Sequence, residues 1–293
     1  MNAVKADAIV VGYRSAAILA DCLRALRADA AVHRIVVVNN SRDQETGVIA
    51  KRFPDTVFLQ QPENVGFGRA VNAARPYLVS EFVVVANPDA VQSPSTTHEA
   101  LAFLVEQPRI GVLGPRMLAP DGRLFRNSQY DIGLFRLATH SLLERWGLLQ
   151  RAADGLGLCR WLGQQRGAAQ HRVAHPTECV IGAFMVCRRC ALDQIGWFDE
   201  SIFLFGEDQD LCRRMRRAGW GVWYAPVGEV VHVGGHSWRQ LRDQGRECFR
   251  QARYRQLLCT QGRLSAELYW WCSGVGDRRR GSRPAAGSAG ARA

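Results

Sequence analysis

Short apolar runs alternate with amphipathic segments along the first third of the chain. Four runs rich in Val, Ile and Ala have the length of buried strands, at 7–13, 34–39, 57–60 and 81–86. Apolar residues recur at helical spacing in the segments between them, at 15–28, 45–53 and 66–78. This order predicts an α/β fold, a Rossmann-like, mostly parallel sheet flanked by helices.

The rest of the chain has shorter and less regular patterns. A helix at 96–107 and a strand at 111–117 are predicted before a turn signal at Asp121-Gly122. Further strands are predicted within 174–188, 220–224 and 227–233, and further helices at 190–195 and 207–219. The stretch 134–165, which contains Trp, Leu and Gly, predicts short helices and loops.

Polar side chains follow the carboxyl ends of the predicted parallel strands. They are Tyr13, Asn39, Asn40, Ser41, Asp43, Asn64, Asn87 and Asp89. Ligands of such sheets bind outside the carboxyl ends of the strands, so we expect the binding site at this edge. Each residue alone is also typical of a turn, and only their succession favours binding. No G-x-G-x-x-G follows the first strand, and no Walker A sequence is present.

Three acids lie within four positions at 207–210, between an apolar run and an arginine-rich segment. A helix that begins near Glu207 would place Asp208 on the inward face with Leu211. Asp210 is spaced to pair with Arg214. The acids could serve as a base, a metal ligand or a hydrogen-bond acceptor, or they could only complement the helix dipole. We predict that Asp208 is the inward carboxylate of the three.

Positive charge is concentrated near the C-terminal end. The chain of 293 residues has a formal net charge of +11, and from Arg239 onward 12 arginines stand against four acids. Such a basic block is typical of a surface that binds nucleic acid or an anionic membrane. The alternative is a solvent-exposed face that has no binding role. Aromatic residues and leucines interleave with the arginines at 238–272, which predicts basic amphipathic helices on a membrane interface. Residues 273–293 predict a disordered tail, and no nucleic-acid motif is present, so no nucleic-acid partner is expected.

The composition also argues against a spanning protein and a thiol-bound metal. No stretch approaches the roughly 18–20 apolar residues of a membrane-spanning helix, and residues 1–9 lack the long apolar region of a secretory signal. Nine cysteines have no repeating spacing, and the pair Cys187 and Cys190 has no second pair with which to bind zinc. We therefore expect a cytoplasmic protein with reduced cysteines.

The motifs, taken in order, carry a family resemblance over residues 6–260. They are AIVVGY at 8–13, NNSRD at 39–43, PENVGFG at 62–68, ANPD at 86–89, GAFM at 182–185, GWFDE at 196–200, FGEDQDL at 205–211, AGW at 218–220 and HVGG at 232–235. The chain resembles bacterial family-two glycosyltransferases, and within them the rhamnosyltransferase-like branch. The resemblance implies a GT-A fold at 1–237, with a nucleotide-sugar-binding half at 1–115 and an acceptor half at 116–237.

The resemblance also implies a reaction and its residues. A sugar would pass, with inversion, from a nucleoside-diphosphate sugar to a hydroxyl of a glycan or polyprenol-linked glycan. Asp208 would be the general base, and Glu207 would help to position it or the acceptor. The implied donor-binding residues are Tyr13 and Asp43, which would contact the base, and Asn39, Asn64, Gly66, Asn72 and Asn87.

A divalent cation, Mg²⁺ or Mn²⁺, is implied as the cofactor. Asn87-Pro88-Asp89 lies where the family has its Asp-x-Asp metal motif, so Asp89 is the single anionic ligand there. His232 lies where related enzymes have a late histidine close to the metal or pyrophosphate, although without the resemblance the sequence favours an ordinary strand-end histidine.

The branch implies further expectations that the residues leave open. dTDP-rhamnose is the first choice of donor, and a UDP-hexose is the alternative. Members of the branch act at the inner face of the cytoplasmic membrane, so we expect peripheral attachment there. A non-catalytic nucleotide-sugar-binding protein is the competing hypothesis, in which Asn87 marks a degraded metal site.

Overall fold

The computed structural model describes residues 4–129 and 171–234, together with single helical residues between 248 and 269. The chain divides into two compact units. The first comprises 1–130, 165–203 and 207–240, and the second comprises 131–164, 204–206 and 241–293. The predictions for 134–165, for 273–293 and for most of 238–272 lie outside the described residues, and the predicted boundary at residue 237 stays a prediction.

Strands and helices alternate over residues 6–86 of the first unit, and short strands predominate among the described residues from 110 to 188. In chain order the strands are β1 (Ala6–Gly12), β2 (Val32–Asn39), β3 (Thr56–Gln60), β4 (Phe82–Ala86), β5 (Ala90–Gln92), β6 (Ile110–Gly114), β7 (Met117–Leu118), β8 (Leu124–Phe125), β9 (Ser128–Gln129), β10 (His175–Pro176), β11 (Cys179–Val180), β12 (Phe184–Arg188), β13 (Gly221–Tyr224) and β14 (Val230–His232). The helices are α1 (Ala16–Ala28), α2 (Glu45–Ala50), α3 (Phe67–Ala73), α4 (Thr96–Glu106), α5 (Arg189–Ile195) and α6 (Glu207–Arg217). The prediction of an α/β fold is confirmed.

The main sheet has eight strands in the order β10-β13-β6-β12-β4-β1-β2-β3. Strands β3, β2, β1 and β4 are parallel, as the alternating pattern predicts. Strand β12 is antiparallel to both of its neighbours, β4 and β6. The sequence predicts β12 as a buried strand but not its direction, because both kinds of central strand are apolar runs.

Helices cover both faces of this sheet, which explains why its central strands are apolar throughout. All seven residues of β1 and all five of β4 are buried. Leu19 and Leu23 of α1 pack in the core on one face, and Leu211 and Met215 of α6 pack in the core on the other. The carboxyl ends of β1, β2 and β4 are thereby held at one edge of a rigid sheet.

A second sheet contains β5, β14, β7 and β8, in that order. Its antiparallel β5–β14 pair places His232 opposite Ala90, the residue after Asp89. The β7–β8 hairpin turns at Gly122, which has φ 77°, so the predicted turn at Asp121-Gly122 is confirmed. This sheet brings residues that lie more than 140 positions apart into contact.

Two predicted elements end early because each contains a proline. The predicted helix 66–78 ends at Ala73, and Pro76 lies in a separate short 3₁₀ helix from Arg75 to Tyr77. The predicted strand 111–117 is split at Pro115 into β6 and β7. Proline lacks the N–H group that a helix or a central strand requires, and it restricts the residue before it.

Within the second unit, the described residues of the C-terminal region are helical. Tyr254, Leu257, Ala266 and Tyr269 are buried against one another, and the Tyr254 hydroxyl donates to Glu267 Oε1 at 3.0 Å. These side chains are therefore buried within the unit. The predicted membrane contact would have to be made by other residues of 238–272. No helix in the described part of the chain is long and apolar enough to cross a bilayer.

Candidate active site

Asp43 is fixed by hydrogen bonds at the carboxyl end of β2. The Ser41 hydroxyl donates to the Asp43 carboxylate, and the backbone N–H of Thr46 donates to Asp43 Oδ1 at 2.8 Å. Asn39 Nδ2 donates to the Asp43 carbonyl and to Gln60 Oε1, both at 2.9 Å. The network holds a partly exposed carboxylate in one orientation at the edge of the sheet.

Two opposed effects act on the Asp43 carboxyl. Partial burial raises its pKa, and the hydrogen bonds from Ser41 and Thr46 lower it by more, so that its pKa lies below the ordinary value. Asp43 is therefore an anionic hydrogen-bond acceptor at neutral pH. An acceptor of this kind can bind the N–H group of a base, and that predicted role stays a prediction.

Tyr13 and Arg14 follow β1 at the same edge. The backbone N–H of Arg14 donates to Ser41 Oγ at 3.3 Å, which ties this turn to the Asp43 network. The Arg14 guanidinium carbon lies 5.5 Å from the centre of the Tyr13 ring. Arg14 has φ 47°, a left-handed backbone that non-glycine residues seldom adopt. Sequence reasoning missed Arg14, because a backbone angle has no signature in a single sequence.

Asn40 and Asn64 together shape the loop that precedes α3. Asn40 Nδ2 donates to Asn64 Oδ1 at 2.9 Å and to the Gly66 carbonyl at 3.2 Å, and Val65 N–H donates to Asn40 Oδ1 at 2.9 Å. Asn64 Oδ1 also accepts from Gly66 N–H at 3.1 Å. These contacts give both amides a role in the fold, and the predicted contact of Asn64 with a donor stays a prediction.

Gly66 and Asn72 hold α3 against the segment 197–203. Gly66 has φ 89°, and a Cβ atom there would lie 2.5 Å from the Phe203 carbonyl oxygen. Asn72 Nδ2 donates to the Phe198 carbonyl at 2.9 Å, and Phe198 N–H donates to Asn72 Oδ1 at 3.2 Å. Both residues thus have a structural explanation, and their predicted roles in donor binding stay predictions.

The turn Asn87-Pro88-Asp89 follows β4 and is contacted by Cys22 of α1. The Cys22 thiol donates to the Asn87 carbonyl at 3.6 Å. Burial, with a contribution from the Asp89 charge, raises the pKa of Cys22 to about 12, so this thiol stays protonated. Asn87 is half-buried, and Asp89 is buried, with 6% of its surface exposed.

His232 lies beside Asp89, with Nε2 3.4 Å from Asp89 Oδ1. The Phe125 ring and the imidazole pack edge to face, with the ring centres 5.0 Å apart. His232 Nδ1 is buried and has no hydrogen-bond partner among the described residues. A buried imidazole nitrogen without a partner is costly unless a ligand or water satisfies it.

The Asp89–His232 pair fits part of a divalent-cation site. Carboxylate and imidazole atoms in contact can bind one ion, but the described residues contain no group of three or more His, Cys, Asp or Glu side chains that could hold a metal. Mg²⁺ and Mn²⁺ commonly complete their shells with water and substrate phosphate. The residues therefore fit a cation that a phosphate-bearing ligand helps to bind.

Asp208, near the start of α6, is held by backbone donors. Gly182 N–H donates to Asp208 Oδ2 at 3.0 Å, and Gln209 N–H donates to Oδ1 at 2.8 Å. The neighbouring residue, Ala183, accepts a hydrogen bond from Asn87 N–H at 2.8 Å. Two consecutive residues thus connect Asp208 to the turn that contains Asp89.

Glu207 is the more buried of the two adjacent acids, with 8% of its surface exposed, whereas Asp208 is half-buried. The prediction that Asp208 is the most inward carboxylate of the cluster is therefore wrong. The reason is that α6 is covered on more than one face, so that even Cys212 and Arg213 are buried. A single apolar stripe does not describe such a helix.

The environment of Glu207 keeps its carboxyl protonated at neutral pH. Burial, together with the negative charge of Asp208, raises the pKa of Glu207 to about 8. Its Oε2 atom is buried and has no hydrogen-bond partner in the described part of the chain. Glu207 therefore offers a neutral acid beside an ionisable one, which is an arrangement found in acid–base sites.

Asp210 is explained by ion pairs within α6. Arg214 Nε lies 2.7 Å from Asp210 Oδ2, so the predicted pair is confirmed, and the Arg213 guanidinium contacts the same carboxylate. Arg214 also donates to the Ile195 carbonyl at 2.8 Å. Asp210 thus holds α6 together and is separate in role from its two neighbours.

A family model, described as "Glycosyltransferase like family 2", matches residues 6–253. The chain is 30% identical over 211 residues to an N-acetylglucosaminyl-diphospho-decaprenol L-rhamnosyltransferase of Mycobacterium tuberculosis. That match covers 68% of this chain and 66% of the relative, so it spans just under two thirds of the relative's length. The description of the family and the name of the relative favour an enzyme over a non-catalytic protein that only binds a nucleotide sugar.

Solved structures share the fold of this chain. A mannosyltransferase of Pyrobaculum calidifontis, solved with GDP-Man and Mn²⁺, matches with a TM-score of 0.57 and 17% identity over 92% of this chain and 72% of that one. GalNAc-T7, solved with UDP, GalNAc and Mn²⁺, matches with a TM-score of 0.58 and 10% identity over 79% of this chain and 44% of that one. The fold is thus that of GT-A glycosyltransferases, and the chain belongs to glycosyltransferase family 2.

Proposed function

We propose that this glycosyltransferase moves rhamnose, with inversion, from dTDP-rhamnose to a hydroxyl of a polyprenol-linked glycan. The observation that carries the proposal is the link through Gly182 and Ala183, which joins the carboxylate of Asp208 to the Asp89 turn. A base for the acceptor and a site for the donor's phosphates then belong to one rigid unit. The rhamnosyl donor and lipid-linked acceptor are supported by the name of the mycobacterial relative.

The donor would lie along the carboxyl ends of β1, β2 and β4. Asp43, held as an anion, would accept from an N–H group of the base, and the Tyr13 ring would stack on it. Asn87 is half-buried beside Asp89 and would contact the diphosphate or the sugar. Asn39, Asn64, Gly66 and Asn72 would act mainly by holding these loops in place, because their side chains or backbone are engaged within the fold.

Mg²⁺ or Mn²⁺ would be held by Asp89 and His232 together with the donor's phosphate oxygens. When bound, the cation neutralises the charge that develops on the leaving diphosphate. Cys22 and Phe125 would keep the two ligands in position, since one supports the Asn87 carbonyl and the other packs against the imidazole. Both ligands are buried, which limits the loss of side-chain entropy on binding.

Asp208 would accept the proton of the acceptor hydroxyl as that oxygen attacks the anomeric carbon. The new bond joins the acceptor oxygen to the anomeric carbon, and the bond to the phosphate oxygen breaks as the nucleoside diphosphate leaves with its electron pair. Gly182 and Gln209 orient the Asp208 carboxylate through their N–H groups. Glu207, which is neutral, would let Asp208 carry the negative charge that a base needs.

Peripheral attachment to the inner face of the cytoplasmic membrane is part of the proposal. It is supported by the lipid-linked substrate in the relative's name and by the arginine-rich composition of residues 239–293. Co-sedimentation with anionic vesicles should fall sharply for a chain that ends at residue 237. Equal co-sedimentation of the truncated chain would contradict this part.

A thermal-shift screen of nucleotides tests the donor assignment. dTDP and dTDP-rhamnose with Mn²⁺ should raise the melting temperature, because a ligand that binds only the folded state stabilises it. UDP, UDP-glucose and GDP serve as competitors, and chelation of the metal should remove most of the shift. Stabilisation by UDP-glucose and not by dTDP-rhamnose would move the assignment to a UDP-hexose donor.

A further inference from the structure

Arg14 has a backbone conformation that its side chain disfavours. Its φ of 47° lies in the left-handed region, where a side chain approaches the backbone too closely. A glycine would adopt this conformation without that cost. The backbone conformation therefore does not by itself favour an arginine at this position, and strained residues of this kind cluster at functional sites.

The strained residue lies in the network that fixes Asp43. Arg14 N–H donates to Ser41 Oγ, and the Ser41 hydroxyl donates to the Asp43 carboxylate and lies 2.8 Å from Asn39 Oδ1. The turn after β1 and the turn after β2 are consequently one hydrogen-bonded unit. A ligand that Asp43 contacts at this edge would come within reach of the residues after β1.

The Arg14 side chain is exposed and positioned by an aromatic ring. Its guanidinium carbon lies 5.5 Å from the centre of the Tyr13 ring, within the range of a cation–π contact. Asp43, the acid assigned to the donor's base at this edge, would repel a diphosphate that lies near it. The arginine whose backbone belongs to the same hydrogen-bonded network as Asp43 would offset that repulsion.

We propose that Arg14 binds the diphosphate of the donor, which makes it a substrate-binding residue of this enzyme. The inference rests on the proposed function, because it requires a nucleoside-diphosphate donor. A guanidinium presents several N–H groups in a plane and can pair with two phosphate oxygens at once. The backbone strain is tolerated because the arginine is needed for binding.

Four variants separate binding from folding. Arg14→Gly relieves the backbone and removes the charge, Arg14→Asn removes the charge with a residue that tolerates the left-handed region, and Arg14→Lys keeps the charge. Arg24→Gln is the matched control, because it removes an exposed arginine from α1. Calorimetry measures the affinity of each variant for dTDP, dTMP and thymidine, and in parallel for UDP, UMP and uridine. The comparison shows how each loss of affinity depends on the number of phosphates.

We expect Arg14→Gly and Arg14→Asn to weaken dTDP binding by about tenfold or more, because charge-assisted hydrogen bonds are lost. The loss should be smaller for dTMP and absent for thymidine, and Arg14→Lys should recover part of it. The melting temperature of Arg14→Gly should stay equal to that of the parent or rise by about 1–3 °C. Arg24→Gln should leave dTDP affinity unchanged.

Unchanged dTDP affinity in Arg14→Gly and Arg14→Asn would overturn the inference while leaving the donor assignment intact. An equal loss for thymidine and dTDP would also overturn it, since the effect would then not depend on phosphate. A lower melting temperature in both variants with unchanged affinity would give Arg14 a purely structural role. Failure of the parent protein to bind any nucleoside diphosphate would overturn the proposed function, and this inference with it.

Discussion

Glu207 and Asp208 are neighbours in sequence with different environments. Glu207 is buried with an unpartnered oxygen, and Asp208 accepts two backbone hydrogen bonds. The sequence predicts that acids cluster here, and the resemblance assigns Asp208 as the base. Which acid is the more buried could not be predicted, because that depends on how many sides of α6 are covered.

Glu207→Gln should be more stable than the parent protein at neutral pH. Between the ordinary glutamate pKa and about 8, the unfolded carboxyl is ionised while the folded one keeps its proton, so folding stability falls as pH rises through this window. Glutamine cannot ionise and avoids this loss. Chemical denaturation should show the difference in unfolding free energy widening from pH 5 to pH 8, by at most about 1.4 kcal/mol per pH unit.

The same variant should keep most of its turnover, because a neutral amide replaces a neutral acid, and it should retain activity above pH 8. Glu63→Gln, which changes an exposed acid, is the control and should change neither the stability profile nor the pH–rate profile. A stability difference that stays constant with pH would contradict a protonated Glu207.

At the scale of elements, the parallel strands and most helices follow from hydrophobic spacing, and the two shortened elements follow from Pro76 and Pro115. Close contacts between elements that lie far apart in the sequence cannot be predicted from hydrophobic spacing. The contact of Gly66 with Phe203 joins residues 137 positions apart, and nothing in the local pattern marks it. The glycines of PENVGFG look equally suited to a helix-entry turn.

Gly66→Ala should destabilise the protein by about 2–4 kcal/mol, because it combines a disfavoured backbone with a clash against the Phe203 carbonyl. Gly122→Ala is the matched control: it has a similar φ, and no atom lies within 4 Å of the added Cβ. Its cost should be about 1 kcal/mol, which is the backbone term alone. Equal midpoints of denaturation for the two variants would show that the Phe203 contact adds nothing.

At the scale of the whole molecule, the order of motifs predicts the fold and the family, and the comparisons confirm both. The small sheet could not be predicted from local pattern, because β14 returns to pair with β5 across more than 130 residues. That pairing brings His232 to Asp89. The link through Gly182 and Ala183 also depends on pairing between distant segments. These two residues directly precede β12, which lies antiparallel between two strands that run parallel to each other.

Turnover of Asp208→Asn with dTDP-rhamnose, Mn²⁺ and a polyprenol-linked N-acetylglucosamine acceptor tests the central claim most directly. The rate of transfer should fall by about 10²–10⁴-fold, since the general base is lost. Donor affinity should stay within about twofold of the parent value, because Asp208 is assigned to the acceptor. Asp121→Asn, a change in the exposed β7–β8 turn, should leave both quantities unchanged. Transfer by Asp208→Asn at a rate close to that of the parent protein would contradict the account.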